Sequence, residues 1–395
     1  MKEKAVLIDI VELGTDPKES ELRLEELDSL VKTFGGASVV KTYQKRTKPD
    51  YRTFVGSGKV KELLDEFGGA ENIDVIILNN ILKPRQIYNL EEFCVKYEID
   101  KHEEDERFEV PKKIKVWDRV DLILKIFDKH ATTAEAKLQI ELASIKHMGP
   151  RIFGMGLELS RQGGGIGTIG IGETNTEIMK RALQKRTRII EEKIKNYGEI
   201  QSRQRSSRKK RDIKTVAVAG YTNAGKSTLI KGLTNKKEVY IADELFATLD
   251  SKVGELYIAG SDGDHRGTSV LIADTIGFIQ DLPPNLIKAF KTTLAEIVDA
   301  DLILHVIDVN DKNIHLKIKV VEEILDELLQ GRNVPKIYVF NKTDLLDKRD
   351  WTEGEKLEYI ADLTEAYAKY QPQLVSALDK TTHFGLIEAI RDMVL

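Results

Sequence analysis

A short glycine-rich segment contains the residues best suited to chemistry in this chain. Residues 220–227 fit the pattern GxxxxGK[ST], directly follow the apolar run Val216–Ala219 and precede a run that can form a helix. In a strand–loop–helix context, the loop N–H groups and the helix N-terminus present positive partial charge to an anion and so hold phosphates. We predict a nucleotide site in which Lys226 reaches the β- and γ-phosphates and Ser227 ligates Mg²⁺. The predicted phosphate-site residues are Gly220, Tyr221, Thr222, Asn223, Ala224, Gly225, Lys226, Ser227 and Thr228.

A second segment indicates which base is bound. Asn341-Lys342-Thr343-Asp344 follows the apolar run Ile337–Phe340. The Asp344 carboxylate can accept both the N1–H and the exocyclic N2–H of guanine, whereas adenine offers only an acceptor at N1, and a buried carboxylate left unpaired is costly. The nucleotide should therefore be GTP. Further on, Ser376 and Ala377 either present backbone N–H groups to guanine O6 or form a plain loop.

Two further segments contain groups that can sense the γ-phosphate. The DxxG sequence at 274–277 follows the apolar run Val270–Ala273, and we expect Asp274 to hold Mg²⁺ through water and the Gly277 N–H to contact the γ-phosphate. Thr248, in FATLD at 246–250, is the best candidate to close over Mg²⁺ in the triphosphate state; the alternative is a threonine in a surface loop. The catalytic set is thus Lys226, Thr248 and Gly277, and the metal ligands are Ser227, Thr248 and Asp274.

The residue after DxxG is unusual for this chemistry. Ras-like enzymes place a glutamine there to orient the attacking water, but this chain has Phe278 followed by Ile279. Neither side chain can hydrogen-bond to water. We expect slow intrinsic hydrolysis unless another group or a partner positions the water.

The elements that must position these residues fall into three regions. Residues 1–130 alternate strand-like runs with amphipathic helical runs and predict a small α/β domain. Residues 213–395 show continuous apolar strands alternating with helices, which favours a mostly parallel sheet with helices on both faces. The predicted strands lie at Ala5–Ile10, Ala37–Thr42, Ile73–Leu78, Val216–Ala219, Val270–Ala273, Leu302–Val306 and Ile337–Phe340.

The middle region, 131–212, shows two stretches of helical periodicity that predict an antiparallel hairpin. Between them lies Gly154–Gly172, in which six of the ten residues 163–172 are glycine, and we expect a long loop. The second helix is followed by the basic run, Arg203–Arg211, in which six of nine residues are cationic and which predicts a solvated linker. The fold class is therefore α/β: a P-loop G domain preceded by a small α/β domain and a two-helix linker.

Composition excludes several other classes of protein. The 395 residues sum to a net charge of −4, so contact with nucleic acid must come from a local patch. Cys94 is the sole cysteine and the seven histidines show no HxxxH or HxH pair, which argues against disulfides and a structural metal site. No apolar run approaches a signal peptide or the ~18 residues of a membrane span. We expect a cytoplasmic protein that is a monomer and has no contact with membranes.

Taken together, the motifs resemble those of one family of GTPases. GYTNAGKST, LFATLD, DTIGF and NKTD resemble the Obg–HflX group, and LFATLD and DTIGF resemble HflX in particular. In the first half, FVGSGKVKEL at 54–63, WDRVDLILKIF at 117–127 and RQGGGIGTIGIGETNTE at 161–177 resemble the HflX signatures. The resemblance implies a GTPase that hydrolyses GTP to GDP and phosphate, uses Mg²⁺, binds the large ribosomal subunit and, in bacteria, splits stalled ribosomes.

The resemblance also implies contacts with ribosomal RNA. We expect these contacts at the Gly154–Gly172 loop, where bare N–H groups can approach phosphates, and at the basic run Arg203–Arg211. The family's Arg, Pro and Gln in the glycine loop are replaced here by Ile169, Ile171 and Asn175.

Two other functions stay open on the sequence. One is a GTP-dependent binding or assembly switch that docks on the large subunit without separating subunits. The other is an NTPase acting on RNA, with a second nucleotide on the first domain near Gly56-Ser57-Gly58-Lys59, which otherwise forms a turn before a helix at Val60–Phe67. The GxGxxG at Gly165–Gly170 has no preceding strand and does not predict a dinucleotide site.

Overall fold

A computed structural model of the chain describes residues 3–102, 112–162, 169–234, 253–258, 267–275, 277–279 and 291–395. The chain divides into two compact units. The first comprises Met1–Lys129 and Ile140–Glu192, and the second His130–Gln139 and Lys193–Leu395. Both helices of the middle region are therefore divided between the units. Among the described residues, no helix is long and apolar enough to cross a bilayer.

The first unit is built on a parallel four-stranded sheet of order β2-β1-β3-β4. The buried side chains of β1 and β3 pack beneath the helices, because parallel strands covered on both faces are apolar along their whole length. The sequence prediction missed β4, KVWD, in which only two apolar residues stand between charged ones. The elements are β1 (Lys4–Val11), α1 (Pro17–Phe34), β2 (Ala37–Lys45), α2 (Ser57–Glu66), β3 (Val75–Leu78), α3 (Pro84–Lys101), β4 (Lys115–Asp118) and α4 (Arg119–His130).

The second unit has a six-stranded sheet of order β10-β9-β8-β5-β7-β6, parallel throughout except for β6, which pairs antiparallel with β7. The sequence analysis did not predict β6. The strands are β5 (Thr215–Gly220), β6 (Val253–Ile258), β7 (Thr268–Asp274), β8 (Leu302–Asp308), β9 (Lys336–Asn341) and β10 (Gln373–Leu374). The described α-helices of this sheet are α7 (Lys226–Leu233), α8 (Lys291–Val298), α9 (Ile314–Leu329), α10 (Glu353–Ala366) and α11 (Phe384–Val394).

Helices cover both faces of this second sheet, as the sequence predicted. Along β9, Ile337 and Val339 join the apolar cluster that includes α7 and α11, whereas Tyr338 and Phe340 join the cluster with α9 and α10. Successive side chains of a strand point to opposite faces, so this alternation requires a core on each side. The strands thereby carry their carboxyl ends to one edge, where ligands of such sheets bind.

The two helices of the middle region are α5, Ala134–Gln162, and α6, Ile169–Lys210. The Gln201 amide donates to Glu135 at 2.7 Å, and Lys146 Nζ donates to Glu191 at 3.0 Å. Early residues of α5 thus contact late residues of α6, and the helices run antiparallel, as predicted.

The expected loop over Gly154–Gly172 is wrong for most of its length. Helix α5 continues to Gln162 and α6 begins at Ile169. A glycine costs a helix about 1 kcal/mol relative to alanine but does not end it, so glycines spaced along a periodic pattern remained compatible with helix. The rest of the predicted loop, residues 163–168, lies outside the described residues.

The solvated linker expected at Arg203–Arg211 is also wrong. The basic run continues α6 as far as Lys210. Arg208 Nη1 lies 3.0 Å from Glu296 Oε2, and Arg205 Nε lies 2.8 Å from Asp299 Oδ2. Both carboxylates lie at or just beyond the end of α8. The run lacks apolar periodicity because ion pairs, rather than apolar side chains, fasten this part of α6.

Candidate nucleotide-binding site

Two glycines fix the shape of the loop that follows β5. Gly220 has φ +150°, and a Cβ built on it would lie 2.2 Å from the Val306 carbonyl oxygen. Gly225 caps α7 at φ +89°, and a Cβ there would lie 2.2 Å from Asn341 Nδ2. Any other residue would be strained at φ +89° and would clash at both positions. The loop therefore wraps tightly over the first turn of α7, with the helix N-terminus opening into it.

Lys226 lies inside this loop and not on its surface. Its side chain is buried, and Nζ donates to the carbonyl oxygens of Gly220 at 3.1 Å and Tyr221 at 2.8 Å. Burial lowers the pKa of Lys226 to about 8, against the opposing effect of the Asp274 charge. A buried positive charge is unfavourable unless an opposite charge lies close to it. The carbonyl groups around Lys226 are neutral, so a bound phosphate would supply this negative charge.

Ser227 and Asp274 bring two oxygen donors together beside the loop. The Ser227 hydroxyl donates to Asp274 Oδ2 at 2.8 Å, and Asp274 is fully buried at the end of β7. Mg²⁺ prefers hard oxygen ligands, and a hydroxyl beside a carboxylate is such a pair. The donor set therefore fits the predicted metal. Thr228 follows in the first turn of α7, whereas Thr248, the third predicted ligand, lies outside the described residues.

The segment after β7 is bound to the phosphate loop through its backbone. Phe278 N donates to the Gly220 carbonyl at 3.1 Å, and Thr222 N donates to the Phe278 carbonyl at 2.8 Å. A Cβ on Gly277 would lie 2.8 Å from Thr222 Cγ2 and 3.0 Å from Lys226 Nζ, so a side chain here would displace one of these groups. The side chains of Phe278 and Ile279 are 1 % and 0 % exposed. They pack in the interior and present no hydrogen-bonding group to a ligand.

Asn341, at the end of β9, joins the phosphate loop to the segments predicted to bind the base. Its Nδ2 donates to the Ala224 carbonyl at 2.8 Å, and its Oδ1 accepts from the Ala377 N–H at 2.9 Å. Beside it, the Ser376 hydroxyl donates to Asp344 Oδ1 at 2.7 Å. Lys342, at φ +66°, pairs with Asp308 at 2.8 Å. The structure thus brings the NKTD segment, the Ser376-Ala377 turn and the phosphate loop together.

The two amides expected to face guanine O6 have partners within the protein. Ala377 N–H donates to Asn341, and Ser376 N–H donates to Thr382 Oγ1 at 2.9 Å. His383 Nε2 lies 2.9 Å from the Ser376 carbonyl oxygen. Sequence reasoning missed Thr382 and His383, since no motif contains them. Both contact the backbone of Ser376, which lies six or seven residues before them in the chain.

Two polar segments of the first unit, Gly56–Lys59 and the start of α4, have structural roles. Gly56 is the N-cap residue of α2, and Lys59 pairs with Glu62 at 2.7 Å, which agrees with a turn leading into a helix.

Asp118 and Asp121 accept each other's backbone N–H groups at the start of α4.

His147 joins this pair of carboxylates from α5. Its Nε2 lies 3.0 Å from Asp118 Oδ1. One carboxylate oxygen each of Asp118 and Asp121 and a ring nitrogen of His147 all lie within 4.8 Å of one another. The arrangement is that of a helix cap closed by a histidine.

Comparison with known proteins covers nearly the whole chain. Three family models match in succession: "GTP-binding GTPase N-terminal" over residues 21–128, "GTP-binding GTPase Middle Region" over 130–208 and "50S ribosome-binding GTPase" over 215–342. The chain is 41% identical over 346 residues to the GTPase HflX of Caldanaerobacter subterraneus subsp. tengcongensis, covering 88% of this chain and 74% of that protein. It is 38% identical over 345 residues to the GTPase HflX of Escherichia coli K12, covering 87% and 74%. The solved complex of SsGBP with GDP aligns over 100% of this chain and 98% of its own with a TM-score of 0.51; at 23% identity this shows a shared fold.

Proposed function

The chain belongs to the HflX family of GTPases, and from this premise we propose that it binds the large ribosomal subunit and couples GTP hydrolysis to the dissociation or rescue of stalled ribosomes. The family match establishes a GTPase. The ribosomal partner is supported by the description of the family model that matches residues 215–342, a ribosome-binding GTPase. The one structural observation on which the proposed active site rests is the meeting of Lys226, Asp274 and Asn341 at a single sheet edge.

Each residue at this edge has a definite task in the proposed reaction. Water attacks the γ-phosphorus in line, and GDP and phosphate are released. The Lys226 ammonium compensates the charge that develops on the β- and γ-phosphate oxygens, and the Gly277 N–H, next to Lys226, donates to a γ-phosphate oxygen. Ser227 and Asp274 would hold Mg²⁺, which neutralises phosphate charge when bound. Thr248 belongs to the same proposal as the residue that senses the triphosphate.

Guanine recognition is assigned to Asp344, with Asn341 and the Ser376-Ala377 turn around it. The carboxylate accepts the N1–H and N2–H of guanine, and Lys342 lies beside it with its charge balanced by Asp308. Replacing Asp344 by Asn should shift the preference toward a xanthine nucleotide, whose C2 carbonyl can accept from an amide. Asp350→Asn, an exposed position nearby, is the matched control. Unchanged affinity of Asp344→Asn for GTP would contradict the assignment.

The ribosome is proposed to complete a site that this chain leaves unfinished. Because Phe278 is buried and apolar, the protein itself supplies no water-positioning group at that place. We expect a slow basal rate and a rise of at least ten-fold on adding large ribosomal subunits at fixed salt, equal to about 1.4 kcal/mol of barrier. An unchanged rate would mean that the activator is something other than the large subunit.

Contact with ribosomal RNA is proposed for the outward face of the basic run and for the connection between α5 and α6. The Arg203 side chain is 81% exposed and can reach phosphates. Arg205, Arg208 and Lys209 instead pair with Glu296 or Asp299. Arg203→Ala should therefore weaken subunit binding and reduce its salt dependence. Sedimentation of 70S particles with GTP separates subunit splitting from docking alone, because only the former releases free subunits.

A further inference from the structure

The turn that carries Ser376 and Ala377 is held from behind by the short helix that follows it. This helix spans Lys380–His383. Thr382 Oγ1 accepts the Ser376 N–H at 2.9 Å and lies 2.7 Å from the Asp379 carbonyl oxygen, to which it can donate. His383 Nε2 lies 2.9 Å from the Ser376 carbonyl oxygen. We call Thr382 and His383 the clasp, because together they bond both polar groups of the Ser376 backbone.

The clasp also sets the spacing between this turn and the phosphate loop's helix. His383 is 2% exposed and its ring lies against Gly232 of α7. A Cβ on Gly232 would lie 2.6 Å from His383 Cε1 and 3.2 Å from the Ala377 carbonyl oxygen. No side chain can therefore stand between the ring and α7. The imidazole fills that space and bonds to the turn on its other side.

Two contacts toward the base depend on the position of the Ser376 backbone. The Ser376 hydroxyl donates to Asp344 Oδ1 at 2.7 Å, and the next amide, Ala377 N–H, donates to Asn341 Oδ1 at 2.9 Å. Ser376 is itself 2% exposed, so solvent does not readily replace a lost partner. Its carbonyl oxygen accepts from the Asp379 N–H at 3.0 Å as well as lying next to His383. A shift of this backbone would move both the carboxylate and the amide that face the base.

We propose that Thr382 and His383 are positioning residues for guanine recognition. They touch no substrate; they hold the Ser376 backbone so that Asp344 and Asn341 keep their orientation. This proposal rests on the proposed role of Asp344 in binding guanine. It requires His383 to carry its proton on Nε2, because the carbonyl oxygen of Ser376 can only accept.

Paired substitutions separate the hydrogen bonds from the shape of the side chains. His383→Leu keeps an apolar group of similar reach against Gly232 but removes the donor, whereas His383→Gln retains an amide N–H near the position of Nε2. Thr382→Val keeps the branched shape and removes the hydroxyl. His315→Leu, at an exposed position of α9, is the control for losing a histidine elsewhere in the same unit.

The test compares GDP with ADP on the full-length protein, by fluorescence or calorimetric titration. ADP uses the phosphate loop but lacks the guanine N1–H, N2–H and O6, so its affinity does not depend on the base contacts. We expect His383→Leu and Thr382→Val to weaken GDP binding about ten-fold, or about 1.4 kcal/mol, with ADP binding unchanged. The KM for GTP should rise with kcat nearly constant. His383→Gln and His315→Leu should stay within about two-fold of the wild type.

The outcomes distinguish the clasp from the base site on which it rests. An equal loss of GDP and ADP affinity would mean a general loss of folded protein and would overturn the positioning role. An equal loss in His383→Gln and His383→Leu would overturn the hydrogen bond as its cause. If Asp344→Asn lowers the GDP-to-ADP preference while the clasp variants do not, the clasp is wrong and the base site stands. If Asp344→Asn leaves that preference unchanged, both are wrong.

Discussion

Asn341→Ala should be among the most damaging single substitutions in the second unit. The side chain is 1% exposed and holds two buried backbone groups, the Ala224 carbonyl at 2.8 Å and the Ala377 N–H at 2.9 Å. Each buried group left without a partner costs about 1–3 kcal/mol. For the two groups together, the free energy of unfolding of this unit should fall by about 2–6 kcal/mol. At ~2–4 °C per kcal/mol for a domain of this size, the melting temperature should fall by roughly 4–24 °C.

The measurement is urea unfolding of the nucleotide-free protein, followed by circular dichroism, with calorimetry for the melting temperature. Asn196→Ala, at an exposed position in α6, is the control and should change the free energy of unfolding by less than ~0.5 kcal/mol. GDP affinity should fall as well, since Asn341 orients the phosphate loop and the Ser376-Ala377 turn together. A loss of stability below about 1 kcal/mol would show that water satisfies the two backbone groups, and the reasoning from burial would then be wrong.

Three other substitutions test separate parts of the second unit. Phe278→Gln should not speed basal phosphate release, because the side chain is 1% exposed and points into the core, and it should cost about 3 kcal/mol of stability. Burial raises the pKa of Glu322, but hydrogen bonds from His305 and Lys336 outweigh it and hold the pKa at about 2. A carboxyl group with a lowered pKa stabilises the fold above its unfolded value of 4.5, and this contribution is lost as the pH falls from there toward 2. Glu322→Gln should therefore be less stable at pH 7 and lose less on acidification to pH 3, as urea titrations would show. Glu296→Gln should cost about 3 kcal/mol in the same assay, because it removes the carboxylate charge beside Arg208 and leaves Arg205 with Asp299 alone.

Each of these three has an outcome that contradicts it. Faster basal hydrolysis in Phe278→Gln would show that the position can reach the attacking water after all. An identical dependence of stability on pH in Glu322→Gln and the wild type would remove that carboxylate from the acid response. A Glu296→Gln protein as stable as the wild type would mean that the ion pairs at the end of α6 are compensated by solvent.

Sequence reasoning could predict that the contiguous motifs of the candidate site lie close together. Gly220–Ser227, DxxG and NKTD each follow a strand, and parallel strands bring their carboxyl ends together, so their meeting at one sheet edge could be predicted. Thr382 and His383 could not, because their partners are fixed by a turn geometry that leaves no periodic or compositional mark.

The errors in the middle region have a physical cause as well. Glycine frequency suggested a loop over Gly154–Gly172, but a modest propensity cost is easily outweighed in a long helix. The basic run lacked apolar spacing, and its partners, Glu296 and Asp299, lie some ninety residues away. Hydrophobic periodicity predicts a helix that packs through apolar side chains. It cannot predict a helix that is held in place by ion pairs.

The end of α6 is attached to α8 by charge. The helix has 42 residues, and its last turns pair with Glu296 and Asp299. An ion pair that solvent can reach weakens as salt is added. The attachment of the last turns of α6 should therefore loosen at high ionic strength, while the uncharged core beneath α7 and α11 stays packed.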